Sequence, residues 1–295
     1  MSEPLSRKAA SPRATFRQAE QELLERRTRA PDMEGAVSDA LLRLLDGNPP
    51  PPGAVAAGHA IAAAVAAHAA SFAPAGEPAY HNQYHQAEAT TAMGWLCARA
   101  RRLGLLTPAE AAAGVLAMAG HDLLHDGSWP VPGALEARSA ALTVALGAQA
   151  GLDQAALEKI RRVILATDLA RPRGDMDADD LLCRLAQEAD VFGSLTPALG
   201  WQLSQALGQE WAATGHRFEP SVASFAGRLA FLRSRRPATP PGRELGLDDA
   251  VADQIAALAA LGGGDPDQGA ARLDARPPAQ ARANYLAALA TVVPE

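Results

Sequence analysis

Tyr80-His81-Asn82-Gln83-Tyr84-His85 and, further along, His121-Asp122-Leu123-Leu124-His125 decide how this chain is read. These two short segments hold four of its seven histidines. If each is helical, His81 and His85 stand one turn apart on one face, and so do His121 and His125. Two helices can then each turn a pair of imidazoles into one pocket, which is how a helical bundle builds a metal site.

The surrounding sequence supports a helical frame. Alanine and leucine dominate, aromatic content is only 4%, and alternating β-branched runs are nearly absent, so propensity and periodicity both favour an all-α protein. Helices are expected over 15–29, 54–71, 81–102, 108–124, 133–149, 153–167, 178–194, 197–213, 219–234, 247–261 and 277–291. Thr107 with Glu110 forms a capping box for the helix that opens on Pro108. Residues 1–12 read as disordered and 15–29 as an exposed charged helix. Asn48-Pro49-Pro50-Pro51-Pro52-Gly53 is a stiff break, 237–242 a proline-rich linker, and 262–264 a glycine break. These signals divide the chain into an N-terminal extension (1–52), a catalytic domain (53–236), and a linker with a helical tail (237–295). There is no internal repeat and no Gly-rich phosphate loop.

Composition narrows the function classes. A chain of 295 residues, 48% hydrophobic, can bury a substantial core. A formal net charge of −6 argues against a nucleic-acid polymer as partner, because phosphate backbones are held by basic surfaces. The arginine clusters at 99–102 and 233–236 read as solvated helix ends. Cys97 and Cys183 form neither a disulfide framework nor a C-x-x-C pair, which suits a reducing, cytoplasmic setting. The N-terminus lacks the apolar core of a secretory signal. Ala54–Ala70 is alanine-rich and interrupted by His59 and His68; a membrane span needs about twenty strongly apolar residues, so this reads as a core helix with structural histidines. His216 is also read as structural.

Imidazole with carboxylate is the ligand set suited to Zn, Mn or Fe, and His121-Asp122 offers one nitrogen and one oxygen from a single turn. His85 supplies a third ligand. Asp190 lies among small and apolar residues in Ala186–Val191, where an unpaired carboxylate is costly to bury and a metal would offset the cost. Its neighbour Glu188 reads as solvated.

At this point the residues meet a known pattern. The order H…HD…D resembles the HD-domain metal-dependent phosphohydrolase superfamily, and most of all the catalytic domains of class I (3′,5′-cyclic nucleotide) phosphodiesterases. Those carry Y-H-N-x-x-H, H-D-x-x-H-x-G, a glutamate, A-T-D and a late A-D; this chain has Tyr80–His85, His121–Gly127, Glu136, Ala166-Thr167-Asp168 and Ala189-Asp190. The resemblance spans roughly residues 78–234 and implies a helical bundle with two divalent metals in its core. His85, His121, Asp122 and Asp190 would bind the first, usually zinc, and Asp122 would bridge to a second, Mg or Mn, with a nucleophilic hydroxide between them. His81 would be the general acid for the leaving ester oxygen. Apart from the resemblance, Glu210 and Glu219 are candidates, by sequence neighbourhood alone, for the carboxylate that keeps it protonated. His125 and Glu136 would orient waters of the second metal, and Tyr80, Thr167 and Asp168 would line the pocket.

The family's late S-Q-x-x-F segment corresponds here to Ser224–Leu229, which puts Phe225 and Arg228 at the positions that hold the base. Both are therefore expected to touch substrate, in a pocket of different shape. The reaction implied is hydrolysis of a small phosphodiester, with 3′,5′-cyclic nucleotides the leading class and a homo-oligomer allowed. Rival readings are another HD-type phosphohydrolase, acting on a different phosphodiester or a nucleotide monophosphate, and a non-catalytic metal-stabilised ligand sensor. A di-iron oxygenase on the same scaffold would need further histidines, and none occurs between His125 and His216.

Overall fold

Alanine-rich segments punctuated by proline and glycine fold into sixteen helices among the described residues of the computed structural model, which are 10–44, 49–128, 131–168, 180–215 and 219–293. In chain order they are α1 (Pro12–Arg26), α2 (Met33–Arg43), α3 (Ala54–Ala70), α4 (Gln83–Arg102), α5 (Pro108–Gly120), α6 (Ala134–Gln149), α7 (Gln154–Leu165) and α8 (Leu181–Asp190). There follow α9 (Phe192–Leu195), α10 (Pro197–Thr214), α11 (Glu219–Val222), α12 (Phe225–Arg233), α13 (Pro240–Glu244), α14 (Leu247–Gly262), α15 (Pro266–Asp274) and α16 (Pro278–Val292). No strand occurs among the described residues, and no helix there is long and apolar enough to cross a membrane.

The central element is α4. It is buried almost all round from His85 to Cys97, with α2, α5, α8, α9 and α13 against it. Such enclosure demands partners for its polar groups. Thr90 and Thr91 bond back to the carbonyls of Gln86 and Ala87, Gln86 reaches Ala119 O at 3.0 Å, and Glu88 takes a two-pronged ion pair from Arg27. Helix α2 comes so near that a Cβ on Gly94 would lie 2.8 Å from that of Ala40. The expected capping box at Thr107 and Glu110 starts α5, and α3 covers the expected core segment with Ile61 and Val65 inward.

The expected division into extension, domain and tail does not describe the packing. Phe16 and Leu23 of α1 and Val37 and Leu41 of α2 belong to the same core as Leu96 and Leu116, as do Leu245 and Leu247 beyond the supposed linker. A second core joins Trp201, Phe225 and Leu229 to Leu258, Leu273 and Tyr285 of the supposed tail. The physical reason is amphipathicity: α1 is charged on one side only, and buries Phe16, Ala19 and Leu23 on the other. Arg13 on α1 also bonds Asp253 on α14 at 2.8 Å, which ties the first helix to one beyond the proline-rich segment. Thr239 caps α13, which turns the proline-rich linker into a helical corner. Helices α2, α13 and α15 were not expected from periodicity, and the single helices expected over 178–194 and 219–234 are each broken in two. The disorder expected for residues 1–12 falls outside the described residues up to residue 9, while Ser11 already caps α1.

Candidate metal centre

The two histidine segments do not lie inside helices as their spacing suggests. Asn82 accepts from Tyr84 N at 3.0 Å and His85 N at 3.3 Å, so its short side chain takes over the first backbone donors and α4 begins only at Gln83. His81 is left outside the helix and His85 sits in its first turn. Helix α5 likewise ends at Gly120, and His121–Leu124 form a turn. A Cβ on Gly120 would fall 2.2 Å from Thr143 Oγ1, so this glycine lets α6 close over the end of α5 and fix where His121 emerges. The outcome is a crossed pairing: His85 joins His121, and His81 joins His125.

The first group is His85, His121, Asp122 and Asp190, whose ligand atoms all lie within 4.8 Å of one another. His85 Nε2 is 3.1 Å from Asp190 Oδ1 and 3.4 Å from Asp122 Oδ2; His121 Nε2 is 3.2 Å from Asp122 Oδ2 and 3.4 Å from Asp190 Oδ1. Tetrahedral donors about 2.1 Å from a shared ion stand about 3.4 Å apart, so the spacing suits one cation. Both Nε2 atoms are buried and lack a hydrogen bond. His121 Nδ1–H donates to Met118 O at 2.8 Å, which turns the Nε2 lone pair into the group, the usual backing for a metal-ligating imidazole.

Electrostatics point the same way. Burial would lower the His85 pKa, yet the adjacent carboxylates of Asp122 and Asp190 outweigh it and lift the imidazole to about 9. His121 is raised for the same reasons, while both carboxylates are held well below their usual range despite burial. Two carboxylates in a buried site call for positive charge, which either protons or a metal can supply.

The second group is His81, His125 and Glu210. His81 Nδ1 lies 2.5 Å from Glu210 Oε1, and Glu210 Oε2 accepts the backbone N–H groups of Tyr80 at 2.8 Å and His81 at 3.0 Å. Burial would raise the Glu210 pKa, but these bonds and the charge of His81 bring it down to about 2. The His81 and His125 rings stack at 3.7 Å, and His125 Nδ1 accepts from Gly127 N at 3.1 Å. Burial and the nearby His81 lower the His125 pKa to about 4. His68 Nε2–H donates to His125 O at 3.1 Å, which is the structural part expected of it. The two groups meet where the His81 ring stands perpendicular to that of His85, 5.8 Å between centroids. Of the two carboxylates named as partners for His81, Glu210 occupies the place; the side chain of Glu219, like His216, lies outside the described residues.

The remaining expected residues divide. Tyr80 is buried against His85 and His81, with ring centroids 4.7 and 4.8 Å away, and its hydroxyl meets Ser194 Oγ at 3.1 Å. Glu136 is partly buried; burial first, then the charges of Asp168 and Asp122, raise its pKa, which places all three carboxylates in one neighbourhood. Thr167 is buried and donates to Ile164 O at 2.8 Å. Phe225 and Arg228 are a correction. Phe225 is stacked on Trp201 at 4.2 Å in the second core, and Arg228, 1% exposed, donates to Thr196 O at 2.7 Å, to Ser194 O at 3.3 Å and to Gln254 Oε1. Both are enclosed because α14–α16 cover them, so neither faces an opening. Glu188 is also not a solvated neighbour: it accepts Thr239 N at 2.6 Å and Thr239 Oγ1 at 2.7 Å. Ser194 and Gln254 carried no signal in sequence, being single polar residues without a motif.

The fold and the site together define an all-helical protein with a buried imidazole–carboxylate group that could hold a metal ion. No protein-family model matches the chain, and no curated protein matches it.

Proposed function

We propose that this protein is a metal-dependent phosphodiester hydrolase of the HD-domain, phosphodiesterase-like kind. It would act in a cytoplasmic setting on a small phosphodiester, with 3′,5′-cyclic nucleotides the leading class. The observation that carries the reading is the placement of His81, partly exposed and backed by Glu210, beside a separate buried group with two unpaired imidazole nitrogens. A metal centre that served only to hold the fold would have no use for a second imidazole–carboxylate pair aimed past it.

His85, His121, Asp122 and Asp190 would hold the first cation, with zinc favoured by the two nitrogen donors. Asp122, with the negative charge of Glu136 and Asp168 on its side, would share a second cation of the Mg or Mn type. Such a pair, when bound, supplies a water of near-neutral pKa and charge to offset the phosphoryl oxygens. His81 would give the proton on Nε2 to the leaving ester oxygen while Glu210 holds its Nδ1–H and fixes the ring. His125, kept neutral and stacked on His81, would limit how that ring can turn. Tyr80 would wall the pocket against His85.

The test is hydrolysis of 3′,5′-cyclic nucleotides, bis(p-nitrophenyl) phosphate and p-nitrophenyl phosphate by metal-stripped protein given Zn, Mn, Mg or Fe in turn. Diester turnover that depends on metal supports the reading, and silence with every metal removes it. His81→Ala should keep bound metal and lose most turnover, whereas Asp122→Ala should lose both; equal metal loss in the two would refute the part given to His81.

A further inference from the structure

Away from the metal centre, at the start of α8, the corner between α12 and α13 leaves a groove of about 370 Å³ lined by Arg184, Arg236, Pro237, Ala238, Pro240 and Arg243. Three of its six lining residues are arginines and none is acidic. Two carboxylates stand nearby: Glu188 accepts Thr239 N and the Thr239 hydroxyl and feels the charge of Arg184, and Asp248 accepts Ala238 N at 2.8 Å. Arg184 and Arg243 each spend a single donor on the corner, on Pro237 O at 2.9 Å and Ala238 O at 2.5 Å. Those bonds hold both guanidinium groups at the rim, each with further N–H donors. Arg236 is exposed and makes no ion pair with the described residues.

Glu188 and Asp248 offset the three guanidinium charges only in part, and an anion in the concavity would relieve the remainder. A guanidinium fork matches the oxygens of a phosphoryl group, two at a time. The proline rings add an apolar wall for an organic body, and the volume suits a ligand of sugar-phosphate size. We infer that this groove is a binding site for a small phosphorylated molecule, clasped by Arg184, Arg236 and Arg243. The site is independent of the chemistry proposed above, yet it bears on it: Arg184 and Asp190 ride on the same helix, about 9 Å apart along its axis.

Calorimetric titration of the full chain with inorganic pyrophosphate, in metal-free buffer at low salt, tests the inference. The expected result is one-to-one binding, weakened at least about tenfold in Arg236→Glu and further in Arg236→Glu/Arg243→Glu. Binding should be unchanged in Asp122→Ala, which separates the groove from the metal centre. Both arginines are exposed, and matching circular dichroism would show the variants folded. No binding by the parent chain, equal binding by the charge-reversed variants, or loss of binding in Asp122→Ala would each overturn it.

Discussion

Glu210→Gln, which keeps the shape of the side chain and removes its charge, should destabilise the protein by about 3 kcal/mol at pH 7. The figure follows from the carboxylate itself. Burial alone would raise its pKa, yet His81 and the two N–H groups bring it from 4.5 to about 2. A drop of that size is worth about 3 kcal/mol in favour of the ionised form. A carboxylate with a depressed folded pKa stabilises above its unfolded pKa, and the stability is lost as pH falls through the folded one. The gap between parent and variant should therefore shrink between pH 4.5 and pH 2. On the same relation it falls from about 3 kcal/mol at pH 7 to about 2 kcal/mol at pH 3.5. Urea unfolding of both proteins across this range, followed by circular dichroism, measures it, and near neutrality the melting midpoint should drop by about 5 °C. A gap that is absent at pH 7, or that does not change with pH, would refute the reasoning. On the proposed function the same variant should also lose turnover while binding metal normally.

Three further outcomes are expected. His125 is buried and neutral with its pKa lowered from 6.5 to about 4, so its unfolded form takes up a proton first and stability falls as pH drops through that window; His125→Asn should flatten this slope in urea titrations. Arg228→Met should cost about 3 kcal/mol, because Thr196 O, Ser194 O and Gln254 Oε1 each lose a buried donor, and equilibrium unfolding measures it. Truncation after residue 236 should give a chain without a cooperative unfolding transition, since it strips Leu258, Leu273 and Tyr285 from Trp201, Phe225 and Leu229 and each large side chain uncovered costs about 1.5–3 kcal/mol; Trp fluorescence follows it.

Legibility in the sequence followed the strength of the local signal. The helical class, α3, the capped start of α5 and the four residues of the first group were readable, because alanine-rich periodicity, a capping box and adjacent His-Asp are short-range patterns. The crossing of the histidine pairs was not, since it turns on which backbone donors Asn82 captures and on how closely Thr143 approaches Gly120. The burial of Phe225 and Arg228 in the second core is not legible for a related reason. An aromatic and an arginine on a helix look alike whether they meet a ligand or a neighbouring helix, and only the docking of α14–α16 decides. Glu210 could be named only by neighbourhood, because it lies far along the chain from the histidine it holds.

His85, His121 with Asp122, and Asp190 come from three helix ends widely spaced along the chain. A cation at that point would act as a cross-link, closing two long loops whose closure the unfolded chain does not otherwise gain. Its departure would leave α4 to fray from its first turn and α5 and α8 from their last, so chelation should loosen the protein from the centre outward. Amide exchange at Tyr84–Gln86, Gly120–Leu123 and Ala189–Val191 is where that loosening would first be seen.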